Sequence, residues 1–266
     1  MSSYPDINKV LTIQDVEYSS REGFVADPFV VTDNNDDYLF FEVFYRNPRE
    51  KVVGSAKRVN DSEWEYEGIA IKNEELEYSF PYTFRHNSKW YMIPSIANTD
   101  GTRPPLTLYR AVDFPLEWTV ESNFDIKGVD PVVFHWNDDW YLICNDGSTT
   151  KLYFSDNLVS NDWSEHPTRP LNLESGLRRM GGRPVKLNGS LYLMYQDGKY
   201  HYGEMVRCCQ VIELDRRNFQ QSEIINSPIV SAQYNQSWNH LGCITLILIC
   251  QAILRLLMGT IPTAGQ

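Results

Sequence analysis

Basic residues are in short supply: 24 Lys and Arg stand against 35 Asp and Glu, a formal net charge of −11. A surface this acidic repels phosphate backbones and anionic headgroups, which argues against nucleic acid or an anionic membrane as partner. Cysteine is sparse too. The five, Cys144, Cys208, Cys209, Cys243 and Cys250, are odd in number and two are adjacent. None stands in a C-x2-C spacing, so no disulfide framework and no zinc site is expected, and no metal or cofactor is assigned. There is no glycine-rich phosphate loop and no G-x-S-x-G nucleophile motif. The opening "MSSYPDINKV" lacks the apolar stretch of a signal peptide, so a reduced, cytoplasmic protein is expected.

What the chain has is repetition. It is 42% hydrophobic and 13% aromatic, enough for a full core in 266 residues. Four phrases, "ADPFVV", "SFPYTF", "VDPVVF" and "GRPVKL", each set a residue before proline and continue in apolar residues. Their prolines, Pro28, Pro81, Pro131 and Pro184, are 53, 50 and 53 residues apart. In the first unit "DYLFFEVF", "VVGSAKRV" and "WEYEGIAI" follow, and "DNND" and "NDSE" supply turns. A tryptophan recurs ahead of the fourth strand of successive units, at Trp64, Trp118 and Trp163. Four strands in about fifty residues predict an all-β chain, a β-propeller, because a β-sandwich would not repeat at this period. Four units reach from about residue 24 to 225, and a fifth should start near "SAQYNQSWN". The expected fold is a five-bladed β-propeller over residues 1–242 with an incomplete fifth blade, followed by an aberrant apolar tail over 243–266.

In a propeller the first strand of each blade lines the central channel. The residues before the four prolines, Asp27, Phe80, Asp130 and Arg183, are therefore expected to ring one pocket. Two acids, an aromatic and a guanidinium suit a polyhydroxyl ligand. A lone Asp-Pro more often just starts a strand, but two at equivalent repeat positions point to shared use. Glu42 in "FFEVF" is a further acid among apolar neighbours, where burial would raise its pKa. Tyr82, Gln196 and His201 are candidates for polar or stacking contacts.

"ADPFVV", "SFPYTF", "LYRAVDFPLEW", "VDPVVFHWNDDWYLI" and "SEHPTRPL…GGRPVKLNGSLYLMYQD" resemble the five-bladed propeller of glycoside hydrolase family 43 relatives. In particular, they are similar to the propeller that forms the N-terminal domain of plant glucosamine inositolphosphorylceramide transferases. The resemblance covers residues 24 to 242. It implies a general base at Asp27 and an acid that tunes and orients at Asp130. Where the hydrolases carry a proton-donating Glu in the fourth blade, this sequence has "GGRPV" with Arg183. A guanidinium with a pKa above 12 gives up no proton near neutrality. Two other acids could substitute: Glu42, taken as the catalytic candidate with Asp27 and Asp130, and Asp197, at the end of the second strand of the fourth unit. Each is more often structural, Glu42 as a buried acid paired with an arginine and Asp197 as a turn residue before Gly198. Arg183, Phe80, Tyr82, Gln196 and Asp197 form the substrate-binding set.

After "SWNHLG" the strand rhythm stops. "CITLILICQAILRLLMGTIPTAGQ" is interrupted by Gln251 and Arg255, and no membrane span is expected from it. Codons for "GCITLILIC" read one nucleotide out of phase spell "GMHHIDPHL", another Asp-Pro phrase, so the tail is read as a frameshift product. Function is expected to be carbohydrate-directed: a glycosidase-like protein acting on or binding a glycoside or glycolipid glycan in the funnel. The alternatives are a non-catalytic glycan-binding accessory to a glycosyltransferase and a protein-interaction scaffold.

Overall fold

A computed structural model of the chain describes residues 11–16, 21–60, 63–168, 176–200 and 203–231. The expected fifth blade beyond Ser231, the tail from Cys243 and His201 lie outside them. Nothing in the described residues supports the frameshift reading of that tail.

The described residues form four antiparallel sheets, one per repeat, and not five. Blade 1 holds β1 (Gly23–Asp33), β2 (Asp36–Tyr45), β3 (Glu50–Asn60) and β4 (Glu63–Ile71) in chain order. Blade 2 holds β5 (Leu76–His86), β6 (Lys89–Asn98), β7 (Thr107–Asp113) and β8 (Glu117–Asn123) in the same order. Blade 3 is β9 (Val129–Trp136), β10 (Asp139–Asn145), β11 (Thr150–Ser155) and the short β12 (Ser164–Glu165). Blade 4 is less regular. Its first strand is split into β13 (Leu177–Met180) and β14 (Val185–Leu187), both paired with β15 (Ser190–Asp197). Next comes β16 (Met205–Leu214), bordered by β17 (Phe219–Glu223) and β18 (Val230–Ser231). An all-β propeller is thus the observed architecture.

The tight turn between the first two strands is written into the sequence. Asn34, Asn87, Asn137 and Asn188 open the four turns, with φ of 49°, 47°, 52° and 50°. In three of the blades the next residue is also left-handed: Asn35 at 72°, Ser88 at 62° and Gly189 at 77°. Two left-handed residues make the hairpin turn whose twist matches that of the strands it joins, and Asn tolerates the first position through local side-chain hydrogen bonds.

The second strand of each blade is buried along most of its length, and in blade 1 Leu39, Phe41 and Val43 pack with Ile13 and Val16 of the segment before the first strand. Val31, Phe40, Val53, Tyr78 and Met92 fill the space between blades 1 and 2. Ile93, Val132, Ile143 and Leu193 belong to a larger core running through blades 2, 3 and 4. Fully burying such a side chain contributes about 1.5–3 kcal/mol. No helix among the described residues is long and apolar enough to cross a membrane.

Candidate functional site: a carboxyl cluster at one end of the channel

The X-Pro pairs of blades 1 to 3 fall at bulges inside or at the start of their strands. In blade 1 the pairing jumps from Ala26↔Glu42 to Phe29↔Phe40, and in blade 2 from Ser79↔Ser95 to Tyr82↔Ile93. In blade 3 it jumps from Val129↔Asn145 to Val132↔Ile143. Proline has no N–H to give a ladder, so a bulge is where it fits. The residue before each proline is left-handed: Asp27 at φ 50°, Phe80 at 47°, Asp130 at 51°. For a residue with a Cβ this costs on the order of 1–2 kcal/mol, and a bulge re-aims its side chain.

A bulge also strands backbone N–H groups, and here the preceding blade supplies the acceptor. Phe80 N–H donates to Asp27 Oδ2 at 3.2 Å. Asp130 N–H donates to Ser95 Oγ at 2.7 Å, and the Ser95 hydroxyl donates to Asp130 Oδ1 at 3.3 Å.

Three acids meet at this end of the channel. Glu42 faces Ala26 across the β1–β2 ladder, which sets its carboxyl beside that of Asp27. Lys51 Nζ lies 2.8 Å from Glu42 Oε1. Burial pushes the Glu42 carboxyl up to about 7; the Asp27 charge adds to this and Lys51 opposes it. Asp130, 5% exposed, is also pushed up to about 7 by burial, with Arg179 opposing and Asp27 reinforcing. Arg179 Nη1 stands 3.6 Å from Asp130 Oδ2, an oxygen with no hydrogen-bond partner among the described residues. Arg103, in the β6–β7 connection, adds a second positive charge toward Asp130.

The other sequence candidates are placed differently. Phe80 is fully buried and packs edge-on against Phe29 at 4.9 Å, so it offers no open ring face for stacking. Tyr82 is buried, and its hydroxyl donates to Val133 O at 2.9 Å. Arg183 sends Nη2 to two backbone carbonyls, Val30 O at 2.8 Å and Thr83 O at 3.3 Å. It thereby ties blade 4 to blades 1 and 2. Gln196 is buried opposite Arg179 in the β13–β15 ladder. Asp197 accepts the Lys199 N–H at 3.0 Å as a turn residue before Gly198 and pairs with Arg207 at 3.3 Å. The structure therefore unites Asp27, Glu42 and Asp130 and gives Phe80, Tyr82 and Arg183 partners within the framework.

Sequence reasoning missed Lys51, Ser95, Arg103 and Arg179. None carries a motif. Arg179 lies four positions before the fourth X-Pro pair, on a strand whose split no local signal announces. Among the described residues no group of three or more His, Cys, Asp or Glu is arranged to hold a metal ion.

With its carboxyl raised to about 7, Glu42 can hold or hand over a proton near neutrality beside the charge of Asp27.

Four-stranded antiparallel sheets following one another along the chain define a β-propeller, and its fold is like that of glycoside hydrolase family 43 structures. The fold likeness is direct. The chain superposes on the GH43_1 enzyme from Xanthomonas citri complexed with xylotriose with a TM-score of 0.57, at 12% identity over 80% of this chain and 78% of that one. For the Cellvibrio cellulosa α-L-arabinanase complexed with arabinohexaose the TM-score is 0.55, at 15% identity over 79% and 80%. More specifically, the chain belongs to the family described as glucosamine inositolphosphorylceramide transferase 1, N-terminal, which matches residues 1–246. It is 31% identical over 252 residues to glucosamine inositolphosphorylceramide transferase 1 of Arabidopsis thaliana, covering 89% of this chain and 32% of the relative. The chain thus spans about a third of the length of the curated relatives it matches.

Proposed function

We propose that the channel end holding Asp27, Glu42 and Asp130 binds the hydroxyl groups of a glycan, free or on a glycolipid, and that this binding serves a glycosyltransferase rather than hydrolysis. The observation that carries the reading is Asp130. It is a buried carboxyl held by Ser95 and Arg179, and its Oδ2 still lacks a hydrogen bond among the described residues. A sugar hydroxyl is the donor such an oxygen lacks. Family membership supports the glycosyltransferase context. One feature weighs against hydrolysis: where the family resemblance calls for a proton-donating acid the chain has Arg183, whose guanidinium donates to backbone carbonyls.

The test is a glycan array run beside chromogenic glycosides on the full chain. Wild type is expected to retain glycans and to turn over no glycoside. Asp27→Asn keeps an oxygen for the Phe80 N–H and should lose the array signal while remaining folded. A second reading, hydrolysis with Glu42 as proton donor, is favoured by its elevated pKa. Turnover abolished by Glu42→Gln would establish that reading and displace the first.

A further inference from the structure

A cavity of about 360 Å³ lies between blades 1 and 2, away from the carboxyl cluster and lined by different residues. It opens where blade 2 splays: β7 pairs with β6 at Tyr91↔Arg110 and Met92↔Tyr109, while Thr107 and Leu108 pair only with β8. Tyr78 and Tyr109 form part of its wall, with Ile71 of β4 and Trp118 and Val120 of β8.

Three properties of this cavity point to one ligand chemistry. The Tyr78 and Tyr109 hydroxyls are 3.2 Å apart in a buried setting. One O–H is used between them, and the second has no acceptor among the described residues. Asn123 accepts the Thr107 hydroxyl at 2.9 Å through Oδ1, and its side chain, on the lining, keeps amide donors for another partner. The apolar part includes Trp118 and Val120 of β8, beside Ala70, Ile71 and Leu76. Trp118 Nε1–H is already given to Pro115 O at 2.7 Å, so the indole meets a ligand through its carbon surface, and Val120 is 52% exposed. The single charged lining residue, Lys72, is neutralised by Glu50 at 2.7 Å.

We infer that this cavity is a second binding site, independent of the channel, for a neutral pyranoside whose apolar ring face rests on Trp118 and Val120 and whose hydroxyls meet the Tyr78–Tyr109 pair and Asn123. A charged ligand finds no free counter-charge in the lining. A flat aromatic ligand would leave the spare tyrosine O–H and the Asn123 amide unmet, and a polar site discriminates strongly against a ligand lacking the matching groups. The size falls in the range of small-molecule sites.

The test is isothermal titration and saturation-transfer NMR of the full chain with the methyl β-pyranosides of glucose, galactose and mannose. At least one is expected to bind with a Kd of about millimolar order. Val120→Trp changes an exposed rim position, preserves folding and abolishes the binding. Tyr109→Phe weakens it by about tenfold, as for one hydrogen bond to a neutral partner, and Asp27→Asn leaves it intact. No saturable binding of any of the three sugars overturns the inference, as does binding that survives Val120→Trp or that disappears in Asp27→Asn. Because Val120→Trp leaves the carboxyl cluster untouched, glycan-array retention by that variant tests the channel separately.

Discussion

Blades 1 to 3 and blade 4 solve the same local problem differently. In the first three, the residue before proline is left-handed and buried: Asp27, Phe80 and Asp130, with φ of 50°, 47° and 51°. In the fourth, the strand breaks into β13 and β14, Arg183 is not left-handed, and its guanidinium reaches across to blades 1 and 2. The contact with Asp130 comes instead from Arg179, four residues earlier. A shared phrase in sequence therefore does not guarantee a shared role. A bulge presents a short side chain to its neighbour, whereas a broken strand frees a long one to span the channel.

The contrast can be broken at four points, from the largest expected effect to the smallest. Phe80→Ala empties a fully buried bulge position and should destabilise by about 4 kcal/mol, read from the denaturant midpoint at constant m-value. Arg183→Met removes the tie between blade 4 and blades 1 and 2. Leaving Val30 O and Thr83 O without their charged donor should cost about 3 kcal/mol, and Arg183→Lys should recover part of it.

The third point is pH. Glu42 and Asp130 both hold their protons more tightly folded than unfolded, rising to about 7 from 4.5 and 3.8. The folded chain then binds more protons than the unfolded one between about pH 4 and 7, so stability falls as pH rises through that window. The loss is on the order of 3–4 kcal/mol per group. Thermal unfolding at pH 5 and pH 8 measures it, and Glu42→Gln should flatten the difference. A stability that climbs over this range would contradict the burial of the pair. The smallest effect is Tyr82→Phe, which removes the hydrogen bond to Val133 O and should cost about 1 kcal/mol, visible as a small drop in Tm.

The architecture was legible because it is periodic. Prolines at a fifty-residue interval and runs such as "DYLFFEVF" and "KWYMIPS" mapped onto strands with few errors, and Trp64 and Trp118 lie in fourth strands, with Trp163 just ahead of one. The grouping of Asp27 with Asp130 was readable for the same reason, and Glu42 from its position one strand over. What escaped reading was orientation. The strand pattern gives no hint that Phe80 turns inward at a left-handed bulge, because φ at one residue is set by the neighbouring blade. Nor does "LRRM" announce that Arg179 rather than Arg183 meets Asp130, since the choice depends on where β13 breaks. The Asn of each first hairpin, Asn34, Asn87, Asn137 and Asn188, was a usable register mark that the proline period overshadowed. Of the stretch where a fifth blade was expected only Ser231 is described, and it pairs with Met205 in blade 4.

The two bulge contacts, Asp27 to Phe80 N–H and Ser95 to Asp130 N–H, both run from an earlier blade to the next. This gives the ring a polarity. The strained turns at Phe80 and Asp130 are each held by the blade made before them, so a chain emerging from the ribosome meets the clasp for these two bulges before the bulge itself.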